Sequence, residues 1–376
     1  MMLVALQVQA QGYHYDVNNN DGAITIADVV SLVNKLLGKP DEGDTSNNEQ
    51  RKLILRVSEN PLISPNGAKA NKRLAPAIFT NTLDHFYINM MYYHNDKDNE
   101  EWSEWRKTNR SVTHSTVQTP GHYENNSSWP TSSEIEDDGP VTVFGYYTYY
   151  KSNVDFFELN YGNPYLQVVT EESSDDQRDV LVAKKTDTWN NCQGVVNLVF
   201  NHVCAALQFS LIKTSSLADY SVEVKEVKLH NVHDSGKYDL LNDEWYGYNL
   251  DNNYSDFTLN AHMNGVANAI TVSDEQVTLL GKDKDDYLFL IPQTITGMAK
   301  GTAITTADTE KKAYLEIKCK IYDSNNNYKV GAASGLNEFG SVYLPFSATL
   351  NTGHIHPFII SIGTAIRDAQ GNKIFN

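Results

Sequence analysis

Leu315-Glu316-Ile317-Lys318-Cys319-Lys320-Ile321 alternates apolar and charged residues without a break. That is the period of a strand with one dry face and one wet face. Cys319 falls on the dry face, the place of a buried, inert thiol. The same texture fills the chain from Arg51 onward. Leu53, Leu55 and Val57 alternate, as do Val141 and Val143 ahead of an aromatic run from Phe144 to Tyr150. Val196, Leu198 and Phe200 follow, then Val222 with Val224 and Val227 with Leu229. Tyr287 to Ile291 is a compact apolar run, and Phe358, Ile360 and Ile362 close the series. Turns rich in Asn, Asp, Gly and Ser separate these runs. Many short strands without interleaved helices predict antiparallel β-sandwiches rather than a parallel α/β sheet. A length of 376 residues suits two domains, expected over 51–214 and 215–376, with Lys213-Thr-Ser-Ser-Leu-Ala-Asp219 as the seam.

Composition narrows the function. Hydrophobic residues make up 40% and aromatics 11%, with 22 Tyr, enough for a core and weighted toward β-structure. A formal charge of −17 argues against nucleic acid and against anionic lipid, both of which call for a basic surface, and leaves a self-repelling one. Three cysteines, Cys192, Cys204 and Cys319, are too few for a disulfide framework. A Cys192–Cys204 bridge is one reading and free thiols the other; either way stability comes from packing. No Gly-x-Ser-x-Gly, His-Glu-x-x-His or Gly-rich phosphate loop is present, and no carboxylate pair is set apart by spacing. The chain reads as a non-enzyme. His230 with His233 and His354 with His356 are spaced to share a metal, yet no further ligand is near in sequence, so surface histidines are expected. Trp102, Trp105, Tyr92, Tyr93 and Trp129 are either a platform for sugar rings or ordinary core.

The first fifty residues differ from the rest. Residues 1–10, ending Val8-Gln9-Ala10, resemble the end of a secretory signal with a small-residue cleavage site, the alternative being a native N-terminus. No Cys near this junction supports a lipid anchor, and no apolar run reaches membrane-spanning length. Over 11–40, Asp16-Val-Asn-Asn-Asn-Asp21-Gly22 is a dense set of oxygen ligands ahead of a helix whose stripe is Val29, Leu32, Val33 and Leu36. Thr25 caps that helix, Asp28 completes a capping box, and Gly38 and Pro40 stop it. Residues 41–50 are a polar linker.

This loop and helix resemble a single dockerin-type calcium repeat. The resemblance implies Ca²⁺ held by Asp16, Asn18, Asn20 or Asp21, and Asp28, with Gly22 making the turn, and a cohesin-like partner. Asp16 to Asp28 is one residue longer than the usual loop of this kind, and counting back from Asp28 puts Val17 first, so the expected loop is bulged. The alternative is an Asx-rich turn before a capped helix.

Over 51–376 a second resemblance runs through phrases in a fixed order. They are Trp129-Pro130 ahead of Val141-Thr-Val-Phe-Gly-Tyr-Tyr, Asp179-Val-Leu-Val-Ala183, Leu198-Val-Phe-Asn-His202 with Ala205-Ala-Leu-Gln-Phe209, Phe289-Leu-Ile-Pro-Gln-Thr294, and Ile362-Gly-Thr-Ala-Ile-Arg-Asp-Ala-Gln-Gly-Asn372. Together they resemble the fimbrillin-like surface proteins of Gram-negative anaerobes. The resemblance implies a mainly β protein of two Greek-key, transthyretin-like β-sandwich domains behind the small loop-helix module. It implies a pilus subunit or adhesin, secreted to the outer-membrane surface and joined to neighbouring subunits by strand exchange. In that family an Arg-directed protease can remove the first strand, opening a groove for a strand from the next subunit. Arg73 is the expected cut, ahead of Arg56 and Arg51, and Leu53, Leu55 and Val57 have the alternation such a groove accepts. The alternative is a permanent edge strand beside an incidental basic dipeptide. Cutting at Arg73 would also discard the calcium module, which suits a tip, accessory or tethered subunit left uncut. A glycan-binding accessory protein docked through its N-terminal module is the second functional reading. His202 is expected to be a satisfied core residue and Pro292 a strand end.

Overall fold

Alternation in sequence becomes alternation in burial. Along Val195–His202, Val196, Leu198, Phe200 and His202 are buried, while Asn197, Val199 and Asn201 face out. The computed structural model describes residues 51–60, 62–64, 85–92, 105–114, 122–131, 135, 139–148, 154–159, 163–174, 179–247, 254–259, 269–281, 287–335 and 338–375. The expected signal segment, the expected calcium-loop residues Asp16, Asn18, Asn20, Asp21 and Asp28, the expected helix and linker, and Arg73 lie outside them.

The first half carries β1 (Lys52–Glu59), β2 (His85–Tyr92), β3 (Trp105–His114), β4 (His122–Ser128), β5 (Val141–Thr148), β6 (Val154–Leu159), β7 (Asn163–Val169), β8 (Val180–Asp187), the short helix α1 (Trp189–Cys192) and β9 (Val195–His202). The second half carries β10 (Ala205–Lys213), β11 (Tyr220–His233), β12 (Ser235–Asp239), β13 (Glu244–Tyr246), β14 (Tyr254–Thr258), β15 (Ile270–Thr271), β16 (Val277–Leu280) and β17 (Leu288–Leu290). It ends with β18 (Thr294–Ile295), α2 (Ile304–Thr309), β19 (Tyr314–Asp323), β20 (Tyr328–Val330), β21 (Gly340–Pro345), β22 (Ala348–Thr349) and β23 (Ile355–Ile362). The chain is mainly β.

Seven strands of the first half close into a barrel, in the order β1-β4-β3-β2-β5-β8-β9 and back to β1. Leu53, Leu55, Ile88, Val143, Leu198 and Phe200 fill it, so the closed sheet packs its own two sides together. In the second half, β10 with β16, β17 and β23 packs over the sheet built on β11 and β19, around Leu207, Phe209, Val222, Ile317 and Ile360. A further sheet, β13-β12-β7-β6, takes strands from both halves. Between barrel and second unit lies a third core, with Phe144, Tyr146 and Leu166 against Ala206, Phe289, Ile291 and Ile355.

Pairing puts β10 with β16, β17 and β23, so the chain leaves the barrel at Val203–Cys204. The polar stretch read as a domain seam is a tight corner. Ser215–Leu217 makes a 3-10 turn between β10 and β11, and Leu217 is sealed in the same core as both strands. Val222 with Val224 and Val227 with Leu229 belong to one strand, β11. The register against β19 shifts between Val224 and Glu226, so one inserted residue restores the inward face.

All three cysteines are free and buried. Cys192 belongs to the barrel core and Cys204 to the intervening core, which sets aside the Cys192–Cys204 bridge. Burial, reinforced by the charge of Asp179, lifts the Cys204 thiol well above its ordinary value, and burial pushes Cys319 up to about 12. No helix among the described residues is long and apolar enough to cross a membrane.

Candidate functional site: the seat of the first strand

β1 enters the barrel as an insert between β4 and β9, two strands not paired with each other in the described sheet. On one side it runs antiparallel to β4, with Ile54 opposite Glu124, Leu55 opposite Tyr123 and Arg56 opposite His122. On the other it runs parallel to β9, from Ile54 beside Val195 to Glu59 beside Phe200. The other pairings around the barrel are antiparallel. Leu53 and Leu55 are wholly buried, and Val57 is half-buried against the same core. The structure therefore brings the three expected strand residues together on one apolar face.

Residues that sequence reasoning missed fix the start of this strand. The Ile54 N–H donates to Gly194 O at 2.8 Å. Gly194 has φ +78°, and a Cβ there would stand 2.3 Å from Lys52 O, so only glycine allows the approach. The Trp129 N–H donates to Arg51 O at 2.7 Å. The Arg51 guanidinium lies 4.9 Å over the Trp189 ring, and its Nη1 reaches Pro130 O at 3.4 Å. The Trp129-Pro130 phrase is thus the collar around the start of β1.

The chain continues past β1 along the same line. The Asn60 N–H donates to Phe200 O, and Asn60 Nδ2 to Asn201 Oδ1, each at 2.8 Å. Leu62, 1% exposed, lies in the core between the two units. Ile63 bridges to β23's approach: its N–H donates to Gly353 O and its O accepts from the Ile355 N–H, both at 2.8 Å.

Two of the ordered phrases meet here. Asp179, ahead of β8, hydrogen-bonds through its carboxylate to His202 Nδ1 at the end of β9, both buried. His202 is a buried core residue. Pro292 lies two residues past the end of β17, after Ile291.

The other candidate groups resolve differently. His230 is not on the surface. Its Nδ1 lies 2.9 Å from Asp256 and its Nε2 3.1 Å from Glu316, and its ring stacks on Tyr314. Burial pulls its pKa down, but the hydrogen bonds and charges of Asp256 and Glu316 outweigh this and raise it to about 9. His233 instead faces Tyr254, 4.1 Å between centroids. His354 Nδ1 meets Thr352 O at 2.7 Å, and His356 Nε2 accepts the Asn351 N–H at 3.0 Å. Among the described residues no group of three His, Cys, Asp or Glu is arranged to hold a metal ion. Tyr92 and Trp129 are wholly buried, which removes them from any exposed sugar platform. Trp102, Tyr93 and the Trp105 side chain lie outside the description.

The sequence profile of the fimbrillin-like family matches residues 79–342, and the chain belongs to that family. A fimbrial protein from Bacteroides vulgatus shares the fold at 17% identity and a TM-score of 0.53, over 82% of this chain and 95% of that one. A candidate cell adhesion protein from Bacteroides ovatus aligns at 13% identity and a TM-score of 0.43, over 84% of this chain and 94% of that one. No curated protein matches the sequence.

Proposed function

We propose that this protein is a structural subunit or adhesin of cell-surface fimbriae, joined to its neighbours by strand exchange. The observation that carries the reading is the seat of β1. One strand, bonded along both edges, holds apart β4 and β9 and supplies Leu53 and Leu55 to the barrel core. Its departure would leave two unpaired edges and a row of apolar pockets, the template that a strand from another chain fits. An open groove on each subunit and a strand offered to the next is a head-to-tail contact, which propagates as a fibre. Membership of the fimbrillin-like family supports the same reading.

Cleavage belongs between β1 and β2 for a physical reason. Arg51 and Arg56 sit within main-chain pairing, Arg51 beneath Trp189 and Arg56 between His122 and Asn197, where a protease cannot take the chain in extended form. Arg73 is the proposed cut. Digestion with an Arg-specific protease, followed by intact mass and an unboiled gel, tests this. A single clip at Arg73 and a heat-labile ladder are expected; a resistant or permanently monomeric chain would sink the stalk-subunit reading.

The N-terminal module is proposed to bind Ca²⁺ through Asp16, Asn18, Asn20 or Asp21, and Asp28, and to offer a cohesin-like partner its surface. Calorimetric titration with calcium should show one site that D16A and D28A each abolish. No heat from the parent chain would leave the loop as an Asx turn.

A further inference from the structure

A hollow lies where the barrel meets the second unit. It encloses ≈ 450 Å³, within the range of about 300–1,000 Å³ usual for small-molecule sites. Its walls come from separate stretches of chain: the segment after β1, strand β8, the end of β9, the β12–β13 corner and the turn ahead of β23.

The polar groups in this hollow set donors beside acceptors, and part of their capacity is left over. Lys184 Nζ donates to Leu241 O and to Asp243 Oδ2, both at 2.7 Å, and an ammonium has a third hydrogen to give. The half-exposed Asp243 carboxylate has room for more than this one bond. Asn60 Nδ2 gives one hydrogen to Asn201 Oδ1 at 2.8 Å, which leaves the other hydrogen and Asn60 Oδ1. Ile63, Val182 and Tyr238 supply an apolar wall, the last two backed by the core between the units. The neighbouring hollow at His233 and Gln293, of ≈ 440 Å³, is different. There the Gln293 amide is engaged within the protein, accepting the His233 N–H and donating to His233 O and Ile291 O.

These features select a class of ligand. Lys184 and Asp243 cancel each other's charge, so the hollow offers no net charge to a phosphate or a free carboxylate. What remains is a neutral row of donors and acceptors facing an apolar wall. Hydroxyls on neighbouring ring carbons each donate and accept, which matches such a row. The C–H face of a pyranose ring matches the wall.

We propose that this hollow is a carbohydrate site for one neutral pyranose unit, held through its hydroxyls by Lys184, Asp243 and Asn60 and through its ring face by Tyr238 and Val182. The site gives the protein a ligand of its own and does not depend on strand exchange. It is also distinct from the aromatic residues around Trp129, which are buried in the barrel. Asn60 and Ile63 belong to the segment that follows β1, so the site is whole only while that segment is in place.

The test is saturation-transfer NMR on the intact full chain. The probes are the methyl glycosides of glucose, galactose, mannose, fucose, N-acetylglucosamine and N-acetylgalactosamine, with methyl glucuronide as the charged counterpart. At least one neutral glycoside should receive saturation, and the glucuronide should bind at least about tenfold more weakly than the best of them. Asp243→Gly removes the carboxylate at a position whose φ of +57° glycine accepts. It should weaken the best neutral glycoside about tenfold, the worth of one hydrogen bond to a charged group. With its ammonium freed, Lys184 should also narrow the gap to the glucuronide, which a merely structural loss would not do. Asn60→Ala keeps the main-chain bond to Phe200 O and should weaken the same glycoside about threefold or more, so the test stands even where Asp243→Gly does not fold. No saturation of any neutral glycoside, glucuronide binding equal to the best of them, or unchanged affinity in a folded variant would overturn the proposal. Ladder formation after Arg-specific digestion is scored separately, so failure of the sugar site and failure of strand exchange are told apart.

Discussion

At the scale of single residues, His230 shows how a charge is kept inside a β-protein. Asp256 and Glu316 hold it from two neighbouring strands, and Asn231 beside it, at φ +58°, donates through Nδ2 to Asp308 Oδ1 at 3.0 Å. Its pKa, raised from 6.5 to about 9, sets the sign of the pH response. The protonated imidazole stabilises the fold in full below pH 6.5, and that contribution is lost as pH rises through about 9. Glu316, lowered to about 2 chiefly by its hydrogen bond to His230, acts oppositely: its contribution is lost only as pH falls through about 2. Melting scans should therefore show the midpoint falling between neutral pH and about pH 9. H230Q should flatten that slope, and an equal slope in the variant would assign it elsewhere. Sequence could not expose this cluster. His230 and His233 look like a surface pair because the partners that define His230 come from β14 and β19, far along the chain. The Asp179 and His202 phrases were legible as marks of a family, but their meeting as a buried pair needed the fold.

At the scale of the element, β1 is paired along both edges and supplies two wholly buried leucines to the barrel core. Leu55→Ala leaves a cavity with no solvent path and should lower unfolding free energy by about 2–5 kcal/mol, read by urea denaturation. Val57→Ala, at a half-buried position, should cost clearly less. Equal losses at the two sites would mean that β1 is not seated as described. The strand itself was plain from Leu53, Leu55 and Val57, because a period of two survives any tertiary context. Its neighbours were not. Parallel pairing with β9 and the collar of Arg51, Trp189 and Gly194 join segments far apart in sequence, and no local pattern encodes them. β11 carried a legible trace of its bulge in the phase slip between Val222/Val224 and Val227/Leu229, which reads as two runs until β19 shows it is one. The seam was misplaced because polarity marks a turn as well as a boundary. The 3-10 turn at Ser215–Leu217 has the composition of a linker and the burial of a corner.

At the scale of the whole molecule, a charge of −17 opposes any contact between copies. Association should therefore be slow at about 0.01 M salt and faster at about 0.15 M, where the screening length shrinks from about 30 Å to about 8 Å. Ladder yield against ionic strength after Arg-specific digestion reads this directly; a yield that falls with salt would mean that steering, not repulsion, governs the encounter. Length and texture led to an expectation of two domains. The core between the two units was not foreseeable, because Phe144, Leu166, Ala206 and Ile355 look like ordinary inward residues of separate sheets.

The pairing of β1 along both edges has one more consequence. A strand peeled from a sheet's end gives up its hydrogen bonds one after another, each failing alone. Tension drawn along the axis of β1 instead loads the β4 and β9 ladders together, and every bond must stretch before any can part. A joint of this geometry is weak to a sideways tug and strong to a lengthwise pull, the property of a link in a cable.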